Sequence, residues 1–252
     1  MTRALDHWLR GTRTAFCPGC GHGILMHSLL RAAERLDLDR KNLLFVSGIG
    51  CAAWIPSPNI SADTLHTLHG RAVAYATGAK LANPKLKVIV VSGDGDLTSI
   101  GGNHLIHAAR RDIDLTVICA NNQIYGMTGG QTASTTPVGA HTATEPHGAK
   151  YRPFDICKLV LAAGAGFAAR WSVTQPQQLS KSIEKAIQYE GFSFVEALSP
   201  CPTQFGRRNR FDDVAALYDS LAKMCVSEED AREMTKKQLA HRFVVGEWSE
   251  EG

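Results

Sequence analysis

The sequence lacks any apolar run of the ~18 to 20 residues that a membrane-crossing helix needs. Its longest, Leu159 to Ala169, is interrupted by two glycines, so no membrane association is expected. The opening residues, MTRALDHWLRGTRTAFC, hold no apolar stretch of the kind a secretory leader carries. Net charge is also scarce. The 27 Lys and Arg against 24 Asp and Glu leave +3, too little and too scattered to mark a nucleic-acid binder. The nearest basic run, Arg207-Arg208-Asn209-Arg210, reads as a solvated loop. Internal repeats and low-complexity segments are missing. These absences point to a cytoplasmic globular protein, where disulfides are rare. The seven cysteines, at 17, 20, 51, 119, 157, 201 and 225, then read as some ligands and some buried thiols.

What is present is an alternation. Short runs rich in β-branched residues, at 42–50, 87–96, 114–122, 165–173 and 192–200, read as buried strands. Between them, 23–36, 70–82, 101–111 and 176–190 carry apolar residues at helical spacing. The pattern predicts an α/β fold with a mostly parallel sheet flanked by helices. Residues 1–210 form the α/β domain in this reading, and 211–252 a C-terminal helical appendage of the same domain. In such sheets ligands sit beyond the carboxyl ends of the strands. GIGC, GDGD, NNQIYGMTGG and SPCPT all fall there.

Gly93-Asp94-Gly95-Asp96 follows a predicted strand and precedes a predicted helix. Glycines let backbone N–H groups approach a diphosphate, but two aspartates would repel one unless a cation lies between. A hard cation such as Mg²⁺ takes oxygen ligands. Asn122, 28 residues after Asp94, lies at the next strand end. GDG followed at this distance by an Asn pair resembles the thiamine diphosphate motif. That resemblance implies Mg²⁺ bound by the Asp94 and Asn122 side chains and by the Ile124 carbonyl. The bland reading is two ordinary polar turns, which leaves the spacing and the continuation YGMTGGQ unexplained. GIGCAA at 48–53 is a poor dinucleotide loop, lacking the third glycine.

Cys17-Pro-Gly-Cys20-Gly-His22 offers one close cysteine pair. Cys51 follows Cys20 by 31 residues and Cys201 follows Cys51 by 150, both at loops. Four thiolates suit either zinc or an iron–sulfur cluster. With Cys51 ending a loop beside the thiamine motif, a redox-active 4Fe–4S cluster has a chemical purpose that zinc lacks. His22 reads as a supporting residue, because four thiolates already complete the cluster. Cys119 in a strand, and Cys157 and Cys225 on helical patterns, are expected to be buried thiols.

The runs CPGCGHG, SGIGC, HTLHGRAVAYATGAKLANP, GDGDLTSIGGNHLIHAARRDIDLTVICANNQIYGMTGGQT and SPCPT together resemble the β subunits of 2-oxoacid:ferredoxin oxidoreductases. The resemblance covers most of 16–135 and the surroundings of Cys201. It implies reversible oxidative decarboxylation of a 2-oxoacid to its acyl-CoA, with coenzyme A as co-substrate and electrons leaving singly through the cluster to ferredoxin. The cofactor-binding residues it implies are Ile49, Gly50, Cys51, His69, Gly93, Asp94, Gly95, Asp96, Asn122, Ile124, Gly126, Met127 and Thr128. His69 is the candidate catalytic residue, reaching either the diphosphate or the reaction centre. The glutamate that activates thiamine is implied to come from an α subunit, in an αβ or (αβ)2 assembly, since neither Glu145 nor Glu196 stands where one is needed. The chain also lacks the C-x2-C-x2-C-x3-C-P run of a ferredoxin-type domain, so one cluster is expected. One departure concerns Trp54, where many relatives carry a basic residue. 2-Oxoglutarate is the first choice of substrate, with pyruvate or a branched 2-oxoacid behind it. The competing readings are a non-redox thiamine decarboxylase or synthase subunit, which would not need the cysteines, and a zinc-bearing interaction module, which would not need GDGD and NN.

Overall fold

The computed structural model describes residues 3–11 and 13–249. Its centre is a parallel array. β1 (Leu43–Ser47) pairs in parallel with β2 (Asp63–His66) on one side and β3 (Lys87–Gly93) on the other; β3 then pairs in parallel with β4 (Leu115–Asn121). A small antiparallel hairpin follows, β5 (Ile124–Tyr125) with β6 (Gln131–Thr132). The array continues through β7 (Phe167–Ser172) and β8 (Phe192–Leu198), and β8 lies parallel between β4 and β7. Every residue of β4 and β8 is buried. That is why these strands read as unbroken apolar runs, as strands covered on both faces do.

Helices cover the two faces. α1 (His22–Arg35) lies across one face beside the later α5 (Pro176–Gln188). The opposite face is covered by α2 (Ala72–Ala82), α3 (Gly102–Arg110) and α4 (Ile156–Ala162). The core divides accordingly. Leu25, Leu29, Leu179 and Ile183 meet Phe45, Ile89 and Val195 on one side; Val73, Leu105, Ile156 and Val160 meet Val46, Val90 and Phe194 on the other. The five predicted strands and four predicted helices all form. Among the described residues no helix is long and apolar enough to cross a membrane.

Two regions differ from expectation. β2, with the sequence DTLH, is a mostly exposed edge strand, so no apolar run announces it. The tail after 210 is not simply a helical appendage. It contains α6 (Val214–Met224), β9 (Cys225–Ser227), α7 (Glu228–Glu233), α8 (Lys236–Leu239) and β10 (Phe243–Ser249). β10 runs antiparallel along β7, and β9 completes an eight-stranded sheet of order β2-β1-β3-β4-β8-β7-β10-β9. Sheet pairing against β7 overrides the tail's polar composition. Cys225 accordingly ends α6 and opens β9, half-buried, whereas Cys119 and Cys157 are buried as expected.

β10 also shelters a charge deep in the sheet. Arg170 on β7 donates from Nε to Glu196 on β8 at 2.7 Å and from Nη2 to Asp155 at 2.5 Å, and its guanidinium stands 6.0 Å from the Trp248 ring centre. Glu196 in turn accepts from Asn121 Nδ2 at 2.6 Å, which fixes the end of β4. Removing one partner of a buried pair leaves an uncompensated charge. Arg170→Met should therefore lower unfolding free energy by about 3–5 kcal/mol. Adding Glu196→Gln should recover part of that loss in the double variant. Chemical denaturation of the single and double variants checks this, and a single variant as stable as the double would contradict it.

Candidate functional site

Because β1, β3, β4 and β8 are adjacent and parallel, their carboxyl ends lie along one edge. From that edge β1 leads to Cys51, β3 to Asp94, β4 to Asn122 and β8 to Cys201. β2, at the flank of the sheet, leads to His69. Sheet order thus gathers residues separated by up to 150 positions.

Asp94 caps a π-helical turn, Gly95–Ile100, between β3 and α3. π-Turns of this kind cluster at functional sites. Its side chain is 1% exposed. Oδ1 accepts from the Asn122 backbone N–H at 3.3 Å and Oδ2 from the Thr135 hydroxyl. Burial pushes the carboxyl up to about 6, against the pull of these two bonds. Among the described residues no Lys, Arg or His pairs with it. A buried carboxylate in this condition is suited to a bound cation, whose charge would favour ionisation. Asn122 closes the neighbouring turn, its Oδ1 accepting from Ile124 N–H at 3.1 Å. Gln123, between them, takes the left-handed backbone (φ 64°). Thr136 ties down the Gln123 carbonyl at 2.6 Å, and Gln123 Nε2 is buried without a partner.

The cysteines meet beside this turn. Cys20 N–H closes a turn onto the Cys17 carbonyl at 3.0 Å, and Gly21 N–H reaches the Pro200 carbonyl at 3.2 Å. The first cysteine loop is thus stitched to the last. His22, 1% exposed at the start of α1, adds Nδ1 to the Ser199 hydroxyl at 2.7 Å. Burial lowers its pKa to about 4, so it stays neutral. The Thr203 hydroxyl lies 3.7 Å from Cys17 Sγ and 3.6 Å from Cys201 Sγ. Burial, with charge on Cys201, Cys51 and Cys17 adding to it, pushes the Cys20 thiol up to about 12. Cys51 is pushed up to about 11 by burial and by Cys201 and Cys17. The four thiols therefore share one locality. Among the described residues, no three His, Cys, Asp or Glu side chains close around a single metal ion.

Gly126 joins the two localities. A Cβ there would stand 3.5 Å from both Cys51 Sγ and Cys201 Sγ, and 3.6 Å from Asn122 Nδ2. One backbone position separates the thiols from the Asn122 turn.

Other expected residues are placed less centrally. Met127 and Thr128 lie exposed in the hairpin turn, and the Thr128 hydroxyl donates to Gln131 Oε1 at 2.5 Å. Gly93 ends β3 and Gly95 lies under Tyr125, whose hydroxyl donates to the Gly95 carbonyl at 3.0 Å. Gly50 precedes Cys51 in a backbone conformation open to glycine (φ 130°). Ile49 donates its N–H to Asp96 Oδ1 at 3.2 Å. The Asp96 carboxylate is occupied by donors from Ile49, His69, Gly70 and Ser92, none of them a partner of the Asp94 carboxylate. Glu145 accepts from Thr132 at 3.3 Å and Glu196 is held in its ion pair. The residues missed were Thr135, Thr136 and Ser199, which hold the site in place. The hydroxyl-rich run QTASTTP directly after the glycine loop was a signal for the first two.

Residues 48–197 match the family described as thiamine pyrophosphate enzyme, C-terminal TPP binding domain. The 2-oxoglutarate synthase subunit KorB of Methanothermobacter thermautotrophicus is 48% identical over 93% of this chain and 82% of its own length. The subunit of that name from Archaeoglobus fulgidus is 53% identical over 75% of this chain and 70% of its own. The chain belongs to the β subunits of the 2-oxoacid:ferredoxin oxidoreductases. It is an enzyme subunit of the thiamine pyrophosphate-binding kind. Its fold is similar to 2-oxoglutarate:ferredoxin oxidoreductase from Magnetococcus marinus, solved with 2-oxoglutarate, coenzyme A and succinyl-CoA bound. The TM-score is 0.84 at 31% identity, over 96% of this chain and 83% of that one.

A methyl at Gly126 meets its neighbours at ordinary contact distance, whereas a branched side chain must push the two thiols and Asn122 aside. Gly126→Val should weaken thiamine diphosphate binding about tenfold or more, as overpacking of ~1–3 kcal/mol implies. The same change should lower any metal that the cysteine quartet takes up. Gly126→Ala should keep both. Calorimetric titration and metal analysis read the two effects separately, and a Gly126→Val protein normal in both would show that the two localities are not in contact.

Proposed function

We propose that this chain is the β subunit of an enzyme that reversibly converts a 2-oxoacid, with 2-oxoglutarate the first choice, and coenzyme A to an acyl-CoA and carbon dioxide. Its electrons pass singly to ferredoxin. The substrate choice rests on the KorB relatives and on the ligands named for the Magnetococcus marinus enzyme. The observation that carries the reading is the meeting of Cys51, Cys201 and Asn122 at Gly126. It supports a thiol site next to the turn that in this reading holds the cofactor.

In this reading the Asp94 and Asn122 side chains and the Ile124 carbonyl hold Mg²⁺, which neutralises the thiamine diphosphate. The buried, cation-free carboxyl of Asp94 fits that role. Cys17, Cys20, Cys51 and Cys201 hold one 4Fe–4S cluster. Four thiolates can serve a cube, which gives each its own iron, and a redox-active cluster beside a carbanion-stabilising cofactor has a purpose that zinc lacks. When bound, thiamine diphosphate supplies carbanion stabilisation at the 2-oxo carbon and the cluster supplies one-electron transfer. The chain's own residues position, neutralise and enclose. Thr135 and Asn122 orient Asp94 through hydrogen bonds, and Ser199 and His22 lock the two cysteine loops together. Trp54, 40% exposed beside Cys51, stands where a cationic substrate grip would otherwise lie, so recognition of the substrate carboxylates falls to other residues.

An α subunit completes the site. Ile49, Trp54, Leu68, Ile100 and Met127 are large apolar side chains left exposed around the strand-end edge, more than a free surface ordinarily presents together. The activating glutamate comes from that partner, because Glu145 and Glu196 are engaged elsewhere.

Protein purified without air should hold about four irons per chain with a thiolate-to-iron absorption band bleached by reductant. Serine at position 17, 20, 51 or 201 should remove that band, and serine at 119, 157 or 225 should leave it. Stoichiometric zinc without iron would overturn the cluster. Asp94→Ala and Asn122→Ala should each abolish Mg²⁺-dependent thiamine diphosphate binding while the iron band persists, since both oxygens serve one hard cation. Unchanged affinity in both variants would remove the cofactor from this turn.

The isolated chain should not turn over 2-oxoacid, and addition of the α subunit should restore turnover that requires 2-oxoacid and coenzyme A together. Dye reduction by the chain alone at a comparable rate would refute the shared site.

A further inference from the structure

Asp96 lies two residues from Asp94 yet faces a different set of partners. Oδ1 accepts from His69 Nδ1, from Gly70 N–H at 2.7 Å and from Ile49 N–H at 3.2 Å; Oδ2 accepts from the Ser92 hydroxyl. Four donors on one carboxylate leave little room for a cation. The side chain is 3% exposed, and that of His69 is 34% exposed. A side chain at Gly48 would overlap the Asp96 carboxylate, so the glycine of GIGC is there to admit it. The His69 ring is held a second time, edge-on against Tyr125 with centroids 5.9 Å apart at 85°, and Tyr125 itself is anchored on Gly95. Of the two imidazole nitrogens, Nδ1 is committed inward. Nε2 has no hydrogen-bond partner among the described residues.

We infer that Asp96 is a positioning residue that locks His69 as its Nδ1–H tautomer and presents the Nε2 lone pair to the thiamine site as a hydrogen-bond acceptor. This rests on the reading of the strand-end edge as that site. A carboxylate that already receives two backbone N–H groups can only accept, so in the neutral imidazole the proton belongs on Nδ1. Carboxylate–histidine pairs fix ring and tautomer in this way at other sites. The chemistry then selects His69's partner. A bare lone pair repels diphosphate oxygens, which are acceptors too. It suits a donor, a hydroxyl or amine group at the reacting end of the bound cofactor or substrate. His69 thus serves the reaction centre and not the diphosphate. The same carboxylate ties Ile49, two residues before Cys51, so one side chain registers the histidine loop against the cysteine loop.

The test uses the chain assembled with its α subunit and loaded with thiamine diphosphate and Mg²⁺. Nitrogen-15 histidine spectra should show His69 protonated at Nδ1 and bare at Nε2. Asp96→Asn should lose that tautomer and lower kcat about tenfold or more, as loss of an orienting carboxylate does. KM for the 2-oxoacid and the affinity for thiamine diphosphate should stay within about threefold. His69→Gln should lower kcat by on the order of 10²-fold, the usual worth of a positioned acid–base group. Ser92→Ala, which takes one donor from Asp96 without touching His69, should leave kcat near that of the parent and controls for disturbance of the loop.

Protonation of both His69 nitrogens in the loaded complex would make the residue a diphosphate ligand and overturn the inference. So would a kcat loss in Ser92→Ala equal to that in Asp96→Asn. Loss of thiamine diphosphate binding in Asp96→Asn would likewise overturn it and return Asp96 to the cofactor's direct ligands. The wild-type tautomer decides the matter even if Asp96→Asn does not fold. Failure of the site reading itself would show separately, as thiamine diphosphate binding that survives Asp94→Ala.

Discussion

The parallel alignment of β1, β3, β4 and β8 is the constraint from which the rest follows. Strands buried on both faces have no place along their length for uncompensated polar groups. The chemistry-bearing residues are therefore driven to the strand ends. Parallel pairing puts those ends on one edge, so four loops remote in sequence become neighbours without any contact designed to join them. The exception inside the sheet supports the rule. Glu196 is tolerated within β8 because Arg170 and Asn121 answer it, and through Asn121 the compensated charge steadies the turn that carries Asn122.

Two buried aspartates two residues apart pose the same electrostatic problem and receive different solutions. Asp96 is satisfied by four donors of the chain itself. Asp94 accepts from the Asn122 N–H and the Thr135 hydroxyl, with no Lys, Arg or His paired to it among the described residues, and burial pushes its pKa up to about 6. The π-turn after β3 separates their directions, sending one carboxylate toward β1 and the His69 loop and the other toward β4. A protein that needed both acids as metal ligands would not surround one with N–H and O–H groups. In the proposed reading the repeated GDGD therefore serves two ends, Asp94 directed to a cation and Asp96 to a histidine.

Much of this was legible in the sequence, and the reasons are physical. The central strands announced themselves because double-sided burial demands continuous apolar runs, and the positions of Asp94, Asn122, Cys51 and Cys201 because each follows such a run. β2 was not legible, since an exposed edge strand needs no hydrophobic pattern and is defined by its partner β1. β10 was missed for a related reason: its half-buried FVVGEWS acquires its meaning only from antiparallel pairing with β7. The role of Asp96 was hidden too. The resemblance implied a cofactor-binding residue, while the donors around its carboxylate come from Ser92 and from Ile49, His69 and Gly70, which only the sheet order brings close. Thr135 and Ser199 are ordinary hydroxyl residues whose importance lies in the acceptor or ring they face.

The width of the partition at Gly126 has a consequence for how the two centres influence each other. With Cys51 Sγ, Cys201 Sγ and Asn122 Nδ2 each within 3.5–3.6 Å of where a single Cβ would lie, no layer of side chains separates thiols from cofactor turn. Charge interactions at such range in a partly desolvated setting are far stronger than between solvent-separated groups. A cluster on these thiols and a Mg²⁺–diphosphate at the Asp94–Asn122 turn, bound as proposed, would each feel the other's charge. Asp96, His22 and Ser199 then matter less as contacts in their own right than as the fixed frame that keeps this short separation constant. Loops free to shift by even an ångström would let the two charges find each other's counterions and the coupling would average away. Backbone N–H groups and buried hydroxyls hold that frame more rigidly than exposed ion pairs could, because they lose few conformers on ordering and are little screened by salt.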